Sequence, residues 1–175
     1  GGDVQIIGNG AVLVGVSERT TAQGIERLAS RLFAGGNVNR IIAVEMSRTR
    51  AQMHLDTVMT MVDVGTFTIY GGLGKLPTLT LRPDGDKQIS VTRNAPEDMY
   101  RVIAQALGVD ELNVLITPQD SMAAAREQWD DGSNSLAIAP GVIVTYERNV
   151  NTNEYLTSHG IEVLTIPGSE VGRGR

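Results

Sequence analysis

Short runs of β-branched and apolar residues alternate along this chain with longer stretches in which apolar residues recur every three or four positions. Val4 to Ile7 and Ala11 to Val16 flank Gly8-Asn9-Gly10, a triplet suited to the positive φ of a tight turn, so a hairpin is predicted there. Ile25, Leu28, Ala29 and Leu32 then fall on one face of a helix. Ser17, Thr20 and Thr21 are its N-cap candidates, and Gly35-Gly36 is its stop. Ile41 to Val44 reads as a closing strand.

The order strand, strand, helix, strand returns twice. Asp56 to Val62 and Thr66 to Tyr70 flank Gly65. Asn94 is then a predicted cap and Pro96 the start of a helix whose apolar face is Met99, Val102, Ile103, Ala106 and Leu107. Gly108 ends that helix, and Asn113 to Ile116 closes the second unit. In the third, Ser135 to Ala139 and Val142 to Tyr146 flank Pro140-Gly141, a helix runs from about Thr152 to a Gly160 cap, and Glu162 to Ile166 closes. The units begin near Asp3, Asp56 and Asn134 and cover about residues 1–45, 54–117 and 133–167. A connecting helix at 120–129 is capped by Asp120, and 71–95 is an insertion rich in Gly, Pro and Thr. Such repetition predicts an α/β array, read as one domain piece over 1–175, in which each unit covers its neighbour.

Composition then narrows the chemistry. Asp+Glu is 20 against Lys+Arg 15, a net charge of −5, and no basic run is present, which disfavours nucleic acid and membrane surfaces as partners. No apolar run approaches the ~20 residues of a membrane span. Cysteine is absent, so no disulfide, thiolate metal site or cysteine nucleophile lies within these residues. The opening Gly1-Gly2-Asp3-Val4 and the ending Gly172-Arg173-Gly174-Arg175 read as the ends of an excised piece.

The densest chemical signal is Met53-His54-Leu55-Asp56-Thr57. Placed at the mouth of a strand, His54 and Asp56 at i and i+2 are expected on one face, an imidazole and a carboxylate suited to acid/base work and cation binding rather than to a metal. A capping or turn-stabilising pair is the equal alternative. Arg19, within Ser17-Glu18-Arg19-Thr20-Thr21, follows a strand and can fork onto a carboxylate; the plainer reading is a salt bridge to Glu18 or a solvated arginine. Asp3 after two glycines is more often a turn residue than a ligand. Gly71-Gly72-Leu73-Gly74-Lys75 fails as a phosphate loop, since Ile69 stands at the first glycine position and Leu76 at the hydroxyl position. Asp130 and Asp131 do not match a calcium loop, and His159 beside Gly160 reads as structural.

Taken together, several strings resemble the arginine deiminase family: Gly-Gly-Asp at 1–3, Gly-Val-Ser-Glu-Arg-Thr at 15–20, Met-His-Leu-Asp-Thr at 53–57, Ala-Pro-Gly-Val at 139–142 with Tyr146 and Arg148-Asn149, Thr152-Asn153, Gly160-Ile161-Glu162-Val163, and the terminal Gly-Arg-Gly-Arg. The resemblance implies a pentein-type, fivefold pseudo-symmetric α/β propeller, of which three ββαβ units are present here as the carboxyl-terminal portion, about a pseudo-axis with their first strands innermost. It implies hydrolysis of free L-arginine to L-citrulline and ammonia, without a cofactor, by a cysteine thiolate that lies beyond Arg175. On that resemblance His54 is the general acid/base and Asp56 grips the guanidinium. Arg19 meets the substrate carboxylate, Asp3 belongs to a substrate-binding motif whose preceding glutamate is missing, and Arg175 borders the pocket. A cytoplasmic setting is expected, the missing remainder of the parent chain is a partner, and homo-oligomerisation stays open. A related amidinotransferase, a dimethylarginine hydrolase, or an inactive binding module of the same fold are the alternatives.

Overall fold

The computed structural model describes residues 1–49, 52–85, 88–118 and 121–168, without the side chains of 121, 123, 124 and 128. In the first motif, β1 (Val4–Gly8) turns through Gly8, Asn9 and Gly10, at φ 103°, 49° and 67°, into β2 (Ala11–Val16). Helix α1 (Ala22–Ala34) carries the chain across to β3 (Arg40–Glu45), which lies parallel to β2. The Thr21 hydroxyl caps α1 by accepting from the Gly24 amide, one of the donors a helix start leaves unpaired.

The second motif opens with β4 (Met59–Asp63) and β5 (Thr66–Ile69). A hairpin of β6 (Thr78–Asp84) and β7 (Gln88–Asn94) is inserted before α2 (Met99–Leu107) and β8 (Asn113–Leu115). Then follow α3 (Ser121–Trp129), β9 (Leu136–Ala139), β10 (Val142–Tyr146), α4 (Val150–Ser158) and β11 (Glu162–Ile166). The repeat is visible in the pairing. In each motif the second strand is central, antiparallel to the first and parallel to the third, giving β1-β2-β3, β4-β5-β8 and β9-β10-β11.

The motifs do not coincide with the compact units. One unit holds Gly1–Leu55 and Gly74–Leu112; the other holds Asp56–Leu73 and the chain from Asn113 onward. In the first unit the insertion hairpin extends the sheet to β1-β2-β3-β6-β7, with β6 antiparallel to β3. On one face Ile25 and Ala29 of α1 pack on Val12, Val14, Ile41, Ala43 and Leu81. Strand alternation turns the other residues of β3 and β6 to the opposite face, where α2 of the second motif packs on β3. The second unit has its own core of Val62, Leu115, Ile143, Leu156 and Ile161, to which α4 contributes Leu156 while it packs along β11. Among the described residues no helix is long and apolar enough to cross a membrane.

Three local expectations are corrected. Asn94 does not cap a helix. Its amide donates to the carbonyl and hydroxyl of Thr78 and to the hydroxyl of Thr80, so it belongs to the sheet, and a 3-10 turn over Pro96–Asp98 leads into α2. The third motif's helix, α4, starts at Val150 rather than near Thr152. Its cap is the buried Glu127 carboxylate, which accepts from the amides of Asn151 and Thr152 and from the Thr152 hydroxyl, a long-range partner that no local pattern announces. The second motif's first strand begins at Met59, not at Asp56, because Leu55–Thr57 form a 3-10 turn. The predicted cap Asp120 lies outside the described residues; the connecting helix itself is α3.

Candidate functional site

Asp3 is the anchor of the first unit's loops. It is 3% exposed, and its carboxylate accepts three hydrogen bonds: from the Ser17 hydroxyl at 2.7 Å, the Thr20 hydroxyl at 2.6 Å and the Leu55 amide at 2.9 Å. Its backbone carbonyl accepts from the Gly15 amide at 2.9 Å. An ionised carboxylate offers about four lone-pair sites, so three protein donors leave little for a ligand. Asp3 therefore positions two segments, one carrying Arg19 and one carrying His54.

Gly15 makes this approach feasible. A Cβ there would fall 2.5 Å from Asp3 Oδ1, 2.9 Å from Met46 Sδ and 3.1 Å from Leu55 Cβ, and the first two are too short to hold without displacing the carboxylate or the thioether. Ser17 completes the loop: its Oγ accepts from the amides of Arg19 at 3.1 Å and Thr20 at 3.2 Å while donating to Asp3. Ser17 and Thr20, taken from the sequence as helix-cap candidates, serve Asp3 instead, and Thr21 alone caps α1. The signal for this was a serine followed at i+2 and i+3 by amides free to turn back onto it.

Arg19 stands on this pinned loop with its side chain exposed. No ion pair joins it to Glu18 among the described residues; Nη2 instead lies 3.3 Å from Met53 Sδ, a neutral and weak acceptor. The structure thus brings Arg19 to the residue next to His54, a proximity that sequence spacing did not reveal. His54 is half-buried on a bend, and Leu55, the next residue, is fully buried. Asp56 is half-buried in the 3-10 turn, where its carbonyl accepts from the Thr60 hydroxyl. The inference that strand alternation sets His54 and Asp56 on one face does not hold, because neither residue is in a strand and the boundary between the compact units falls between Leu55 and Asp56. Arg175 lies outside the described residues.

Other polar residues are accounted for structurally. His159 ends α4, its Nδ1 within 2.8 Å of the Tyr155 carbonyl and its ring against that of Tyr155, in keeping with the structural role expected for it. Asp130 pairs with Arg148 at 3.3 Å and follows the end of α3, as its place after the connecting helix implied.

Solved structures place this fold in a defined class. DDAH from Pseudomonas aeruginosa, a cysteine-to-serine mutant complexed with citrulline, matches with TM-score 0.57 and 16% identity over 97% of this chain and 49% of its own. The inosamine-phosphate amidinotransferase StrB1 from Streptomyces griseus matches with TM-score 0.59 and 16% identity over 95% of this chain and 40% of its own. ArgZ, an arginine dihydrolase of the cyanobacterial ornithine-ammonia cycle, matches with TM-score 0.61 and 15% identity over 97% of this chain and 21% of its own. The chain spans about half or less of the length of each. The architecture is the mixed α/β fold of these amidinotransferase and DDAH structures. Within that class the assignment narrows: the arginine deiminase family model matches residues 1–175, and the chain belongs to the arginine deiminase family.

Proposed function

We propose that this chain is part of an arginine deiminase that hydrolyses free L-arginine to L-citrulline and ammonia, with its three ββαβ motifs forming three blades of a fivefold propeller. The observation that carries the reading is Arg19: a guanidinium with no ion pair among the described residues, exposed on a loop that Asp3 holds in place and set beside the segment bearing His54. An unneutralised arginine on a fixed loop is suited to fork onto the carboxylate of a free amino acid.

The roles follow from the chemistry of a guanidinium, which is cationic and donates only. Asp56 is the carboxylate that holds it. A cysteine thiolate adds to the guanidinium carbon, a C–N bond breaks, and ammonia leaves with a proton that His54 delivers. Water then attacks the carbon, His54 takes up the released proton, and the thiolate departs to leave citrulline. The thiolate must be supplied by the parent protein, since these 175 residues contain no cysteine. Asp3 acts by holding the Arg19 loop rather than by touching substrate.

The test is made on the parent protein. Arg19→Lys should raise the arginine KM while sparing kcat, on the scale of about 1.5–3 kcal/mol, because lysine keeps the charge and loses the fork. Agmatine, which lacks the carboxylate, should be indifferent. His54→Asn should leave binding intact and lower turnover on the order of 10²–10⁴-fold. Turnover of methylated arginines in preference to arginine, transfer of the amidino group to an amine, or arginine binding without turnover would each replace the reading with one of its relatives.

A further inference from the structure

The strongest feature outside the candidate site is an open cavity of about 170 Å³ in the first unit, on the sheet face turned away from α1. Its floor comes from strand alternation. Thr80 and Arg82 of β6 share a face with Thr92 and Asn94 of β7, while Leu79 and Leu81 between them turn to the α1 side. Arg40, at the start of β3, and Arg101 of α2 close its sides. The insertion hairpin, which adds nothing to the candidate site, thus builds a polar basin under a helix.

The basin holds donors that the protein does not use. Arg82 forms no side-chain hydrogen bond or ion pair among the described residues, and neither does the Thr92 hydroxyl. Thr80 Oγ1 accepts from Asn94 Nδ2 at 3.0 Å, which leaves its own proton to donate. Arg40 gives Nε to Asn39 Oδ1 at 3.1 Å and Nη1 to the Gln105 carbonyl at 3.2 Å, both neutral acceptors. Arg101 alone has a carboxylate, Asp98 at 2.8 Å. Two guanidinium groups therefore meet with no acid paired to either, in a chain whose net charge is −5. Burial and then the charge of Arg82 lower the Arg40 pKa, as expected of cations waiting for a counter-charge.

We propose that this basin binds a phosphate group, as orthophosphate or as the phosphoryl end of a small metabolite, through Arg40, Arg82 and the hydroxyls of Thr80 and Thr92. A phosphate carries three acceptor oxygens and close to two charges, and so matches donors that converge from three strands of one sheet better than a planar carboxylate does. The basin is separate from the Arg19 loop: Arg40 opens β3 whereas that loop follows the far end of β2, and the two strands run parallel in register from Ala11 beside Arg40 to Val16 beside Glu45.

The test is a titration of the parent protein with sodium orthophosphate, read by calorimetry and by thermal melting, against sodium chloride at equal ionic strength and against glycerol phosphate. Saturable orthophosphate binding with a rise in melting temperature, weakened about tenfold or more in Arg82→Gln and unaffected in Arg93→Gln, is the expected result. Arg93 is the control because it sits on the opposite face of β7, paired with Glu45. Thr92→Val, a further lining variant on a partly open strand, should weaken binding by a smaller factor with the fold retained. Tighter binding of glycerol phosphate identifies an ester as the preferred source, and tighter orthophosphate binding identifies the free anion. Equal response to chloride, or orthophosphate binding unchanged in a folded Arg82→Gln protein, overturns the proposal.

Discussion

Replacing Asp3 by asparagine tests whether one carboxylate holds the loops of the first unit. The exchange keeps the shape and removes the charge and one acceptor atom. Oδ2 now accepts from the hydroxyls of Ser17 and Thr20, and Oδ1 accepts from the Leu55 amide. An asparagine that keeps its oxygen toward Leu55 turns its NH2 toward two hydroxyls. Ser17 Oγ cannot answer by accepting, because it already accepts from the amides of Arg19 and Thr20 and has two lone pairs to give. The flipped amide fares no better, since it sets its NH2 against the Leu55 N–H.

One charge-assisted bond is lost in either orientation and a donor is left facing a donor. A hydrogen bond to a charged group is worth about 1.5–3 kcal/mol and an unsatisfied buried group costs about 1–3 kcal/mol. Because the loop can relax, about 2–4 kcal/mol is the expected loss in urea unfolding. The second readout is trypsin cleavage after Arg19, which should accelerate in Asp3→Asn relative to cleavage at Arg27 within α1, since loosening the loop exposes its backbone before the fold is lost. A stability change within about 0.5 kcal/mol, with the Arg19 bond cut no faster, would refute the assignment of Asp3 as the anchor.

Gly15→Ala should destabilise the first unit by about 1–3 kcal/mol, measured by urea unfolding, because its methyl enters the space of Asp3 Oδ1 and Met46 Sδ. Glu127→Gln should cost about 1.5–3 kcal/mol by the same measurement, since the buried carboxylate is the cap of α4. Gly108→Ala, at φ 77° after α2, should cost about 1–2 kcal/mol. Burial raises the Tyr100 pKa above its ordinary 10.0, so the folded chain retains that proton more tightly than the unfolded chain. That contribution is fully present below about pH 10 and is lost as pH rises toward the folded value, so Tyr100→Phe should flatten the alkaline fall in stability.

The three ββαβ motifs were legible because each is built from local signals: a turn with positive φ, an apolar helical stripe and a β-branched run. Gly8-Asn9-Gly10, Thr21 and Gly108 act as their chemistry implies. The sequence was opaque wherever a distant partner decides. Glu127 starts α4 from another helix, and Asn94 ties two strands of one hairpin instead of capping the helix that follows it. Strand period also misled at His54 and Asp56, since a 3-10 turn intervenes before Met59 and side-chain alternation applies only within a strand. The stretch 71–95 was read only as an insertion rich in Gly, Pro and Thr, and that its strands β6 and β7 join the first motif's sheet, with α2 over one face, is a tertiary fact.

The separate strings Gly1-Gly2-Asp3, Gly15 to Thr20 and Met53 to Leu55 form one physical object in this fold. Asp3 binds Ser17, Thr20 and Leu55; Gly15 leaves the room for it; Ser17 folds the loop that sets Arg19 against Met53. A match to these strings therefore reports chiefly on a scaffold, since most of their residues hold one another, while Arg19 is exposed with no ion pair among the described residues. It follows that mutating Asp3 or Gly15 cannot distinguish a deiminase from an inactive relative with the same fold, because either loss collapses the loop in both. Only substitutions that spare the scaffold can do so. Arg19→Lys leaves every bond to Asp3 and Ser17 in place, because those bonds are made by other residues and by the Arg19 backbone, and alters only the weak contact to Met53 Sδ, so a change in arginine KM with kcat spared on that variant reads substrate recognition rather than loss of the scaffold.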